Sequence, residues 1–137
     1  MSARTLASLG AREEAIRRIG AGYGLPTSAY VARLAGSRSK NPSEYASSKA
    51  RDWTAIALRR AGALAFPAFQ IDPRSGKTYP VLLPVFATFR DAGWDQESVA
   101  LWFAGPSGRL HGREPAGLIS FDMEAVMAAA LDAAAAW

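Results

Sequence analysis

Nine side chains between positions 38 and 51 form the densest group with an evident chemical use: Arg38, Ser39, Lys40, Asn41, Ser43, Ser47, Ser48, Lys49 and Arg51. Cations and hydroxyls at this density bind phosphate oxygens, and a helix start at Asn41-Pro42 adds backbone N–H donors of its own. Arg38 and Lys40 match the acceptor edge of guanine and Asn41 the edge of adenine, although Asn41 is also a good helix cap. The competing reading is a charged helix face bathed in water.

Other groups that could do chemistry lack partners. His111 is the single histidine. A metal site needs three or four ligands, and neighbouring Arg113 repels a cation. Asp72 with Asp91, or Glu114 with Asp122, could be drawn as acid–base pairs, but no spacing brings either pair together. Gly20-Ala21-Gly22-Tyr23-Gly24 has no strand before it and no Lys-Ser/Thr after it, so it reads as a helix stop and linker. No nucleophile motif is present. The expectation is a protein that is not an enzyme and carries neither cofactor nor metal.

The elements that must position the basic cluster are legible from spacing. Residues 5–19 place Leu6, Leu9, Ile16 and Ile19 near helical spacing, with Glu13 and Glu14 beside Arg17 and Arg18. A short helix follows, capped by Thr27 or Ser28, carrying Val31 and Leu34 on its apolar face and closed by Gly36. Asn41, Pro42 and Glu44 then open a second helix, predicted to run past Lys49 and Trp53 to about Arg60, with Gly62 as its stop. Helix, short turn and helix with a basic leading face is a helix-turn-helix layout.

Beyond Gly62 the pattern changes. Pro67 excludes a helix over 64–71. Asp72-Pro73-Arg74-Ser75-Gly76 is turn chemistry, from which Lys77-Thr78-Tyr79 can return as a short hairpin or irregular arm. Pro80 and Pro84 fit the opening of a helix over 81–92, ended by Gly93. Asp95 caps a helix over 96–103, Pro115 opens a short helical turn, and Asp122 caps an Ala-rich final helix. Trp53, Trp94 and Trp102 are expected to be mostly core, with Trp102 buried.

Half of the 137 residues are hydrophobic and a fifth are charged, a globular composition. The net charge of +4 is unevenly placed. Residues 1–65 hold 11 Lys/Arg against 4 Asp/Glu (+7), and residues 66–137 hold 5 against 8 (−3). A basic half facing a polyanion is the implied arrangement. There is no cysteine, signal-like segment or membrane-length apolar run, so a cytoplasmic location without membrane association is expected.

Three blocks carry a family resemblance: Phe66-Pro67-Ala68-Phe69-Gln70-Ile71-Asp72, Leu101-Trp102-Phe103, and Leu110-His111-Gly112-Arg113-Glu114-Pro115. In this order, with helices between, they resemble the toxin-binding domain of the Xre/MbcA/ParS-like antitoxins. Ile71 stands where that family usually has an aromatic residue, and His111 where Asp or Asn is common. The resemblance implies a type II antitoxin that blocks a RES-domain, NAD-consuming toxin and binds its own operator DNA, as a homodimer within a toxin–antitoxin hetero-oligomer. It further implies toxin contacts at Arg109, Arg113 and the terminal Trp137, with the tail obstructing the toxin's active site. The alternative is a stand-alone helix-turn-helix regulator.

The combined expectation is a mainly α protein. A helix-turn-helix-like region spans 1–62, and a small helical toxin-binding domain with a short hairpin or arm spans 63–137. The DNA-binding residues on this reading are Arg38, Ser39, Lys40, Asn41, Ser43, Ser47, Lys49 and Arg51.

Overall fold

The computed structural model describes residues 3–38 and 40–136, with side chains from residue 9 onward. Leu6, Ser39 and Trp137 therefore lie outside the described side chains. Helix α1 (Ala3–Gly22) runs past its expected end, over Gly20 and Gly22. It stops where Gly24 takes a φ of 103° and the amides of Tyr23 and Gly24 both donate to the Ile19 carbonyl. Ile16 and Ile19 are buried, whereas Leu9 is exposed.

Helix α2 (Ser28–Leu34) is capped by Thr27, whose hydroxyl accepts from the Tyr30 amide at 3.3 Å. Its buried residues are Val31 and Ala32; Leu34, expected beside Val31, is 41% exposed. Helix α3 (Pro42–Arg51) starts as its sequence predicts, with the Asn41 side chain accepting from the Glu44 amide at 3.2 Å.

The end of α3 corrects the sequence reading. The helix stops at Arg51, and Trp53 turns the chain with a φ of 58° while the amides of Trp53 and Thr54 close on Ala50 and Lys49 carbonyls. A bulky residue in the left-handed region costs energy, so tertiary contacts must hold it there. The chain then runs extended into β1 (Leu58–Arg60) and returns as β2 (Ala63–Ala65), antiparallel, with Leu58 opposite Ala65 and Arg60 opposite Ala63. Ala61 and Gly62 form the two-residue turn, both at positive φ as a primed hairpin turn requires. Gly62 is thus a hairpin turn, not a helix stop. Thr27 bridges Ala65, adding a third short partner to the hairpin.

Pro67 leads into a single 3₁₀ turn, Ala68–Gln70. The following arm returns on itself: Ile71 bridges Thr78, and the Asp72 amide donates to the Lys77 carbonyl at 2.8 Å. A 3₁₀ turn at Pro80–Leu82 opens α4 (Leu83–Asp91), and α5 (Gln96–Ala104) is capped by Asp95, which accepts from the Ser98 amide at 2.7 Å. Two more 3₁₀ turns, Gly108–Leu110 and Pro115–Leu118, precede α6 (Met123–Ala135), capped by Asp122. The fold is mainly helical with a short hairpin. Among the described residues no helix is long and apolar enough to cross a membrane.

Phe69, Phe86, Phe89, Val99, Phe103, Leu110 and Val126 pack into the main core together with Ile16, Ile19, Ile56 and Leu58. The segments on either side of position 62 therefore share this core, and the hairpin spans the boundary between them. Trp102, expected to be buried, is half-buried and lies over Phe89 and Phe103, with ring centroids 5.0 Å from each.

Candidate nucleic-acid interface

Two elements present basic groups: the α2–turn–α3 unit and the β1–β2 hairpin that follows it. Arg38 and Lys40 lie exposed in the turn ahead of α3, and neither has a carboxylate partner among the described residues. Asn41 spends its side-chain oxygen on the Glu44 amide, so its capping role competes with base reading. Ser39 lies outside the described residues.

At about 100° per residue, Ser43, Ser47 and Arg51 share one flank of α3 while Tyr45 and Lys49 lie on another, with the buried Ala46 setting the inward direction. Ser43 and Arg51 are exposed and Ser47 is half-buried. Arg51 is tied to Glu44 at 3.2 Å, an exposed pair that a phosphate can displace at small cost. Lys49 sits over the Tyr45 ring, 5.3 Å from its centroid, so it belongs to a different flank from the serines. The structure therefore divides the predicted cluster into two groups.

The hairpin adds a residue that sequence reasoning missed. Strand alternation puts Leu58 and Arg60 on one face and Arg59 on the other. Leu58 is buried, and Arg60 is held by both carboxylate oxygens of Glu13, 2.9 Å each, which props the hairpin against α1. Arg59 is exposed and has no carboxylate partner among the described residues. The signal was present as Arg59-Arg60 before Ala61-Gly62, but a helix predicted through this segment hid it.

The residues tied to the toxin-binding reading lie elsewhere. Arg109 makes an ion pair with Asp132 of α6, and the Arg113 guanidinium donates to the Leu110 carbonyl at 3.0 Å. Trp137 lies outside the described residues. Ala133 and Ala134 pack against the main core, so α6 rests on its own domain nearly to its end. His111 takes a left-handed φ of 59° in an exposed turn. The suggested carboxylate pairs are each engaged locally: Asp72 with Arg74, Asp91 with Arg90, Glu114 with Tyr23, and Asp122 as a cap. Among the described residues no group of three or more potential ligands could hold a metal.

Tyr23 closes this side of the molecule. Its hydroxyl lies 2.6 Å from Glu114 and its ring meets Phe69 edge-on at 5.4 Å. Burial, then the hydrogen bond to Glu114 and the charge of that carboxylate, push the Tyr23 phenol up to about 12. The phenol stays protonated and acts as a donor that fastens the Leu110–Pro115 turn to the end of α1.

No protein-family model and no curated protein matches the chain. Among solved structures, its fold is similar to that of Rv2175c, determined by NMR, with a TM-score of 0.67 at 20% sequence identity over 82% of each chain.

Proposed function

We propose that this chain binds duplex DNA through α2, α3 and the β1–β2 hairpin, used as a winged helix-turn-helix. One observation carries the reading: the hairpin directly follows α3 and presents Arg59, which has no carboxylate partner among the described residues, while Arg38 and Lys40 lie just ahead of α3. A helix inserted into the major groove and a basic wing against the backbone would account for both positive clusters. The +7 balance of residues 1–65 supports the same reading.

The test is a promoter-DNA titration across salt. Each phosphate neutralised contributes a slope of about −0.9 in log affinity against log salt. Replacing Arg38, Lys40 and Arg59 together by Ala should flatten that slope by about two to three and leave the thermal transition in place. An unchanged slope would remove these residues from the interface.

A second reading, a non-enzymatic type II antitoxin, draws on how the resemblance blocks pack. Phe69 stacks on Phe103 at 5.3 Å, and Leu110 and Pro115 are buried. Three separated motifs thus serve one core, as parts of a single binding domain would. On this reading the chain acts in the cytoplasm, as a homodimer within a hetero-oligomer, against a RES-domain toxin that consumes NAD. Arg109, Arg113 and Trp137 would then meet the toxin. Co-expression with a RES-domain protein should preserve cellular NAD, and deletion of residues 133–137 should abolish that protection. Loss of NAD despite the intact chain would leave the stand-alone DNA-binding role.

A further inference from the structure

A second, smaller core lies between α2, α3 and the hairpin, and it is built mostly from alanine. Ala46, Ala55 and Ala57 are buried there with Val31 and Phe66, and Ala50, Leu64 and Ile71 pack against them. Such short side chains do not fill the space enclosed by three elements, and a cavity of about 370 Å³ opens beside them. That volume falls within the range of about 300–1,000 Å³ typical of small-molecule pockets.

The walls define the ligand. Val31, Phe66, Ile71 and Leu83 offer an apolar surface, and Lys49 of α3, whose ammonium lies over the Tyr45 ring, and Lys77 of the arm are the cationic residues of the lining. No aspartate or glutamate lines the cavity. Neither lysine forms an ion pair with any described carboxylate. Gly76 holds the arm against α2: a Cβ there would lie 2.0 Å from the Leu34 carbonyl oxygen, so the arm wall sits in close contact with the helix end.

We propose that this cavity binds a small anionic amphiphile, a compact aromatic or branched apolar body carrying one carboxylate, sulfonate or phosphate. The apolar part covers Phe66 and Ile71 while the anion lies between Lys49 and Lys77. The inference stands apart from the DNA-binding reading and is tested without DNA.

Anilinonaphthalene sulfonate is a suitable probe, with neutral phenylnaphthylamine as its uncharged counterpart. Titration of the folded chain with the sulfonate should give one saturable site, with amide NMR shifts centred on Val31, Ala55, Ile71 and Thr78. Lys49→Gln combined with Lys77→Gln should weaken sulfonate binding by about tenfold and leave the neutral probe unaffected. Both lysines are exposed, so the variant keeps its fold. Shifts centred elsewhere overturn the proposal, as does equal sulfonate affinity in parent and variant. A loss shared equally by the neutral probe overturns the anion assignment.

Discussion

The side-chain amide of Gln70 pairs with both backbone groups of Ile56. Its oxygen accepts from the Ile56 amide at 2.9 Å, and its nitrogen donates to the Ile56 carbonyl at 2.8 Å and to the Pro67 carbonyl at 3.0 Å. Gln70 is 1% exposed, so these groups have no water to fall back on. Gln96 repeats the device from α5, accepting from the Ala57 amide at 2.9 Å and donating to the Ala50 carbonyl at 2.7 Å. Two glutamines thus secure the segment that links α3 to the hairpin, where a neighbouring strand would otherwise be needed.

Gln70→Leu should therefore be costly. It leaves the Ile56 amide and carbonyl to find new partners, at about 1–3 kcal/mol for each group left unsatisfied, while the Pro67 carbonyl keeps the Gln70 backbone amide at 3.4 Å. A total loss of about 2–6 kcal/mol is expected in urea unfolding, with a smaller loss for the less buried Gln96→Leu. A Gln70→Leu loss below about 1 kcal/mol would show that the pairing contributes little to stability.

Gly76→Ala should destabilise for a backbone reason. Gly76 has a φ of 72°, and an added Cβ would overlap the Leu34 carbonyl. The conformational cost alone is about 1–2 kcal/mol for an L-residue, and the overlap adds to it. Gly62→Ala, also at positive φ but with open space around its Cβ, should show only the conformational part. Equal losses in thermal unfolding would mean that the arm is free to move off α2.

The hairpin turn can be improved. Ala61 has a φ of 51° immediately before Gly62, and Asn-Gly is the preferred pair for a two-residue primed turn. Ala61→Asn should raise stability by about 0.5–1 kcal/mol, read as a higher melting temperature. An unchanged or lower melting temperature would argue against the positive φ at this position.

Alkali should expose the raised Tyr23 phenol. In the unfolded chain it ionises near 10.0, and in the folded chain only at about 12. Between these values the folded state holds the extra proton, so stability from this group is present below pH 10 and is lost as pH rises toward 12. The tyrosinate absorbance missing from Tyr23→Phe should have its midpoint near 12. A midpoint near 10 in the folded protein would dissolve the Tyr23–Glu114 contact as a structural tie.

Local chemistry was legible in the sequence. Thr27, Asn41, Asp95 and Asp122 each cap the amide three residues ahead, an interaction that needs no tertiary partner. Gly36 and Gly93 end helices at positive φ, and Asp72 to Thr78 turns back as its Pro and Gly predict. The basic character of the α2–α3 region likewise follows from residue types alone.

The route of residues 52–65 was decided only by tertiary structure. Trp53 carries no local signal for a left-handed φ, and Ala55 through Leu58 read equally well as helix or strand. What settles the path is distant: Gln70 and Gln96 supply hydrogen bonds that a helix would have satisfied internally, and Ile56 and Leu58 are drawn into the core with Phe69 and Phe103. Arg59 emerges as a surface cation and Arg60 becomes a brace to Glu13, both as consequences of that path. Caps and turns depend on neighbours along the chain and can be read from it. The direction in which a side chain points depends on partners far along the chain, 47 residues away for Arg60 and Glu13 and 91 for Tyr23 and Glu114, which only the folded chain brings together.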